Sequence, residues 1–272
     1  MGGTYAPGMP VCEITDEGRV RTIRLNRPEK KNALSNELAW AVVTAVEEAA
    51  RDDDVWVIAV TGTGDAFCSG LDLSGAGSDS SPLSPQSRYL DDIGWVGRFP
   101  LVLRQLCEKP VVAGINGVAA GAGLSLAMAC DIRLGARSLR LIAGYPRVGG
   151  SPDGGLTWTL PQAIGYEQAM RFLLENRTVD AEEALRLGLV GEVVDDGVFA
   201  ERLAEYCALL AERSPIMARL TKRGLAKATT AVDLEMHVRF ELANIARAFQ
   251  SRDAEEARKA FFEKRPPTFE GR

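Results

Sequence analysis

Residues 111–124 read Val111-Val112-Ala113-Gly114-Ile115-Asn116-Gly117-Val118-Ala119-Ala120-Gly121-Ala122-Gly123-Leu124. Val111–Ile115 carries no charge and lies between Lys109-Pro110 and Asn116-Gly117. A short apolar run between turn signals predicts a strand buried on both faces. A glycine cluster follows, and Leu124–Ala129 then reads as helix. The same order occurs upstream. Val55-Trp56-Val57-Ile58-Ala59-Val60 is another apolar run, and it leads into the turn Ala66-Phe67-Cys68-Ser69-Gly70-Leu71-Asp72-Leu73. Before it, Ser35 is a good N-cap, and Leu38, Val42, Ala45, Val46 and Ala49 share one helical face.

Working outward, Val11–Thr15 and Val20–Leu25 flank Asp16-Glu17-Gly18 as strand, turn and strand. A helix is expected over Tyr89–Glu108 and another strand over Leu139–Ile142. Strand and helix alternating at this spacing predict an α/β fold of ββα units with right-handed crossovers. From about Leu160 helices alone are expected. Asp180 and Glu183 resemble a capping box, and Ala200–Ala211, Ile216–Lys227, Val232–Phe249 and Asp253–Lys264 are helix-prone. The chain thus divides into a disordered Gly/Pro-rich tail over 1–10, an α/β core over 11–198 and a C-terminal helical module over 199–272. Ser74–Pro85 is expected to be a mobile loop.

Bulk properties exclude some classes. The 272 residues are 46% apolar and 25% charged, with a net charge of −5. That balance suits a globular protein and disfavours a nucleic-acid partner, which needs a basic face. The 5 cysteines have no CxxC spacing. They read as reduced thiols of a cytoplasmic protein rather than a disulfide framework or metal site. The first ten residues do not resemble a signal peptide, and no stretch approaches ~18 apolar residues, so no membrane span is expected.

Each glycine-rich turn follows a buried strand and precedes a helix. Glycine lets the backbone approach a ligand, and a helix start offers unpaired N–H donors. Two such ends aimed at one point make an oxyanion hole. The plainer reading is that the glycines serve tight turns and close packing. Neither turn spells GxGxxG in an opening βαβ unit, so dinucleotide binding fits less well.

Several motifs together resemble a known family. They are Asn26-Arg27-Pro28-Glu29-Lys30-Lys31-Asn32-Ala33-Leu34, the Phe67–Leu73 turn, Ile115–Ile132, Ser151-Pro152-Asp153-Gly154-Gly155, Ala184–Val194 and Phe261-Phe262-Glu263-Lys264-Arg265. In this order they are similar to the crotonase superfamily, the enoyl-CoA hydratase/isomerase family, over nearly the whole chain beyond residue 10. The resemblance implies a ββα superhelix with a C-terminal helical trimerisation region, assembled as a trimer or dimer of trimers. It implies an acyl-CoA thioester substrate and no cofactor beyond the coenzyme A that substrate carries. The oxyanion donors would be the N–H groups of Leu71, after Gly70, and of Ala122, within Gly121-Ala122-Gly123. Ala33 and the stretch Ser69, Gly70, Leu71, Asp72 and Leu73 would line coenzyme A. Phe261 and Lys264 resemble a C-terminal contact that reaches coenzyme A from a neighbouring subunit, against a plain solvated helix end for Lys264.

The chain departs from the hydratase pattern. Two glutamates hold water in the hydratases, and Ser125 and Tyr145 occupy those positions here. Neither is a useful base near neutral pH. Tyr145 is retained as a substrate-pocket residue. Asp153 is the remaining acid. The resemblance implies that it moves a proton in a double-bond isomerase, and an apolar pocket would raise its proton affinity. The other reading makes it a helix N-cap. Asp72 reads as fixing its turn, Asp91 and Asp92 as helix surface, and His237 as structural. A hydratase using other groups, a non-catalytic acyl-CoA-binding paralogue and a nucleotide-binding protein remain as alternatives.

Overall fold

The computed structural model describes residues 10–74 and 81–272. The expected tail therefore lies outside the described residues except for Pro10, and the expected loop does so at 75–80. A hairpin opens the fold. β1 (Cys12–Glu17) and β2 (Val20–Leu25) pair antiparallel about Gly18, whose φ of +57° suits glycine. α1 (Asn36–Arg51) starts where Ser35 Oγ accepts the Leu38 N–H at 3.2 Å. β3 (Val57–Gly62) and β4 (Ala66–Cys68) follow, then α2 (Pro85–Tyr89), α3 (Gly94–Leu101) and a π-helical turn, Val102–Leu106. Next come β5 (Val111–Ile115), β6 (Val118–Ala120), α4 (Ala122–Ala129), β7 (Ile132–Ala136), β8 (Arg140–Ile142) and α5 (Tyr145–Val148). The remainder is α6 (Leu156–Ile164), α7 (Tyr166–Glu175), β9 (Thr178–Val179), α8 (Ala181–Leu187), β10 (Glu192–Val194), α9 (Phe199–Ala211), α10 (Pro215–Ala228), α11 (Leu234–Phe249) and α12 (Arg252–Glu263).

From β3 to β8, successive strands alternate between two sheets. One has 6 strands in the order β1-β2-β3-β5-β7-β10, parallel after the first pair. The other has 4 strands, β4-β6-β8-β9, and is antiparallel only at β8–β9. Over β3–β8 each turn of the spiral lays one strand in each sheet, and a helix follows. The central strands β3 and β5 are buried on both faces, as the apolar runs predict. Ile58 and Val60 of β3 face a core that includes Phe67, Ala122 and Tyr145. Val57 and Ala59 face a second core with Val112, Leu134, Phe199 and Leu203. α9, assigned from sequence to the C-terminal module, therefore lies on this sheet. Leu203 packs closely over Gly114, where a Cβ would come within 2.4 Å of its Cδ2 and the leucine would have to shift.

Four sequence expectations are corrected. The helix expected over Tyr89–Glu108 is interrupted. Asp91 Oδ1 accepts the Ile93 N–H at 3.3 Å, and Gly94 has φ +62°, which ends the earlier helix. Asp91 is also not simple surface, since its carboxylate pairs with Arg98 at 2.8 Å and is only 10% exposed. The helix after the break then widens into the π-helical turn, where Cys107 N–H donates to Val102 O at 2.8 Å. The region after Leu160 is not helical alone, because β9 and β10 extend the two sheets. The capping box at Asp180 is half formed: its side chain accepts the Glu183 N–H at 3.0 Å, while Glu183 pairs with Arg177 and Arg186.

α10 is fastened to the core by a buried cation. Lys222 Nζ donates to Leu103 O at 2.6 Å and Lys109 O at 2.8 Å, and pairs with Asp131 Oδ2 at 2.7 Å. Full use of the three ammonium donors offsets the cost of burial. No helix among the described residues is long and apolar enough to cross a membrane.

Candidate active site

The two glycine turns meet. Gly70 has φ +97°, and a Cβ on it would lie 2.8 Å from Ala120 O and 3.7 Å from the Ala122 nitrogen. Only glycine allows this approach. Leu34 N–H donates to Gly70 O at 2.7 Å and Asp72 N–H donates to Leu34 O at 3.0 Å. Neighbouring amides in extended chain point to opposite sides, so this bridge turns the Leu71 N–H away from Leu34. Ala122 is the first residue of α4, and its N–H has no partner within the helix. Neither N–H donates to any group among the described residues. Gly123 lets α4 sit against β4, because a Cβ there would fall 2.3 Å from Cys68 O. The structure thus brings the two predicted donors to one place, one of them at the positive end of a helix.

A side-chain cluster adjoins them. Ser125 lies one turn along α4, and its Oγ is 2.9 Å from Tyr145 OH. Tyr145 donates to Asp153 Oδ1 at 2.8 Å. The two positions at which the resemblance implies hydratase glutamates thus carry hydroxyls in mutual contact, with Asp153 bonded to one of them. Burial, and then the adjacent Asp153 carboxylate, hold the Tyr145 phenol well above the usual tyrosine range. It stays protonated and acts as a donor. Asp153 is not the N-cap of α6, since Gly155 occupies that place and the Asp153 side chain turns to Tyr145. Nor is Asp153 enclosed in an apolar pocket, because it is exposed. Gly154 and Gly155 press its turn against the core. A Cβ on Gly154 would lie 2.8 Å from Ser125 Cβ, and one on Gly155 would lie 2.9 Å from Pro100 of α3.

The other predicted residues divide into two groups. Ala33 is buried, while Ser69, Leu71 and Leu73 are exposed beside the first turn. Asp72 fixes that turn as predicted. Its Oδ1 accepts the Ser74 N–H at 3.0 Å and the Ser74 hydroxyl at 2.6 Å, and its Oδ2 pairs with Arg27 at 2.9 Å. The Ser74 hydroxyl and then Arg27 lower the Asp72 carboxyl to about 2. Phe261 and Lys264 stand apart. Both are exposed, Lys264 is the left-handed cap of α12 with φ +54°, and no hydrogen bond or ion pair joins either to the two turns. His237 lies on α11, stacked on Phe240 and 3.4 Å from Glu241. Among the described residues, no group of three His, Cys, Asp or Glu is placed to hold a metal ion.

Sequence reasoning missed three supporting residues. Arg27 also donates to Ala33 O at 2.6 Å, so it ties the Ala33 segment to the Asp72 turn. Asn32 has φ +56°, and its amide donates to Thr63 O and Ala66 O at 2.9 and 2.8 Å. Asn176, the left-handed cap of α7, accepts the Gly144 N–H at 2.8 Å and so sets the start of α5, where Tyr145 stands. An asparagine just past a helical pattern was the visible signal for Asn176.

The chain matches the family model described as enoyl-CoA hydratase/isomerase over residues 15–272. It is 34% identical over 262 residues to the 1,2-epoxyphenylacetyl-CoA isomerase of Escherichia coli (strain K12), covering 94% of this chain and 97% of that protein. It is 29% identical over 260 residues to the short-chain-enoyl-CoA hydratase of Clostridium acetobutylicum, covering 93% and 94%. Its fold superposes on the crystal structure of an enoyl-CoA hydratase from Bacillus anthracis with a TM-score of 0.87 at 29% identity, covering 96% of this chain and all of that one. With spiral, turns and motifs in the same order along nearly its full length, this chain belongs to the enoyl-CoA hydratase/isomerase family.

Proposed function

We propose that the chain is a double-bond isomerase that shifts a proton between carbons of an enoyl-CoA thioester. The observation that carries this reading is that Asp153 is the sole carboxylate in a cluster whose other members, Ser125 and Tyr145, are neutral hydroxyls. One carboxylate suffices for a 1,3-shift. It removes the α- or γ-proton, the Leu71 and Ala122 N–H groups hold the thioester oxygen of the dienolate, and the resulting acid returns the proton to the other carbon. The similarity to the E. coli 1,2-epoxyphenylacetyl-CoA isomerase supports isomerisation of a CoA thioester over hydration. No cofactor is required beyond the coenzyme A of the substrate, for which Ala33 and the Ser69–Leu73 stretch form the expected seat. The test is Asp153→Asn. Turnover falls by about 10²–10⁴ while thioester affinity survives; a mutant with full activity sinks the assignment.

A hydratase reading is favoured by the Clostridium relative. Loss of the conjugated thioester of crotonyl-CoA separates the two, because rapid hydration would select the hydratase. A homo-oligomer, trimer or dimer of trimers, is part of the proposal. It is supported by α11, which buries only Asn244 within the chain and leaves Leu242 and Phe249 61% exposed. In such an assembly Phe261 and Lys264 would serve the coenzyme A of a neighbouring subunit. Sedimentation measures the state.

A further inference from the structure

Ser125, Tyr145 and Asp153 form a hydrogen-bond chain with one direction. Ser125 Oγ has three acceptors in reach: Gly121 O at 3.3 Å, Asp153 O at 3.0 Å and Tyr145 OH at 2.9 Å. Both carbonyls already accept an amide, Gly121 O from Ser125 N–H and Asp153 O from Leu156 N–H, each at 3.0 Å, so neither depends on the serine proton. The Tyr145 proton is committed to Asp153 Oδ1, because a carboxylate has none to give. Two hydroxyl oxygens at 2.9 Å need a proton between them, and the serine holds the only one left. The order is Ser125 O–H to Tyr145 O, then Tyr145 O–H to Asp153 Oδ1. Each donor polarises the next.

The consequence falls on the carboxylate. Asp153 is exposed and follows Pro152 in a turn with two positive-φ glycines, Gly154 at +58° and Gly155 at +73°. Nothing else among the described residues bonds its side-chain oxygens. Tyr145 is buried at the start of α5, whose cap Gly144 is held by Asn176. A rigid donor thus holds one oxygen of an otherwise free carboxylate.

We infer that Tyr145 is a positioning residue, which with Ser125 behind it fixes one oxygen of Asp153 and leaves the other to exchange a proton with substrate. This rests on the proton-shuttle reading above. A carboxylate at 145 would place a like charge about 3 Å from Asp153 and disfavour its ionised form; the phenol supplies a neutral donor instead.

The experiment is a double-mutant cycle in isomerase turnover, measured with stoichiometric enzyme so that slow reactions register. Tyr145→Phe is expected to lower kcat about tenfold to a hundredfold, the range for a hydrogen bond to a charged group, with KM within about threefold. In an Asp153→Asn background the same change has no further effect. Ser125→Ala lowers kcat less, and only when Asp153 is present. It serves as the test should Tyr145→Phe fail to fold. Wild-type kcat in Tyr145→Phe, or losses that multiply through the cycle, overturn the inference. If Asp153→Asn is inactive while the hydroxyl variants are silent, this inference alone falls. If Asp153→Asn is itself fully active, the shuttle reading falls too.

Discussion

The two halves of the candidate site are built from different parts of the chain. The half proposed to hold the oxyanion is main chain, the amides of Leu71 and Ala122 brought together by Gly70 and Gly123. The half proposed to move the proton is side chain: Ser125, Tyr145 and Asp153. A backbone N–H is the same in every residue but proline, so the first half tolerates leucine and alanine and, in the proposed reading, selects a ligand class. Hydroxyls and carboxylates are not interchangeable, so the second half specifies the reaction. A family can therefore keep its thioester site and change its chemistry by exchanging a few side chains.

Substitutions can break this contrast. The largest effect belongs to Asp153→Asn, with the loss of about 10²–10⁴ in kcat given above. Gly70→Ala comes next. Its methyl would meet Ala120 O at 2.8 Å on backbone at φ +97°, displacing the Ala122 amide. Loss of one oxyanion donor predicts a fall of about 10²–10³ in kcat; a mild effect would show that the amides do not hold the reacting oxygen.

Asp72→Asn should act on stability instead. The Asp72 carboxyl is depressed to about 2, so its contribution is complete above the unfolded value of about 3.9 and is lost as pH falls through 2. Denaturant unfolding at pH 7 should show a cost of about 1–2 kcal/mol, shrinking between roughly pH 4 and 2. A cost that does not vary with pH would assign the effect to geometry rather than charge. The smallest effect is expected from Leu71→Ala, which keeps the amide; kcat should change less than about fivefold.

Much of this was legible in the sequence, and the exceptions have causes. β3 and β5 were visible because burial on both faces enforces continuous apolar runs. The glycine turns were visible because positive φ and close approach leave few residue choices. β9 and β10 were missed because 2 and 3 residues carry no period. The break before α3 depends on one Asp91 hydrogen bond and the φ of Gly94, neither of which a composition pattern records. Ser125, Tyr145 and Asp153 were each noticed singly. Their bonding was not, because Ser125 and Tyr145 lie 20 positions apart and meet only when α4 and α5 pack.

The large sheet is also a partition between two interiors. Val57 and Ala59 belong to the α9 side with Phe199 and Leu203, while Phe67, Ala122 and Tyr145 lie in the other core. The α9 side is thus a place to engineer thermal robustness without entering the core that carries the candidate site. Volume-conserving repacking around Leu203 can be screened by melting temperature alone, with the catalytic wall left as it is.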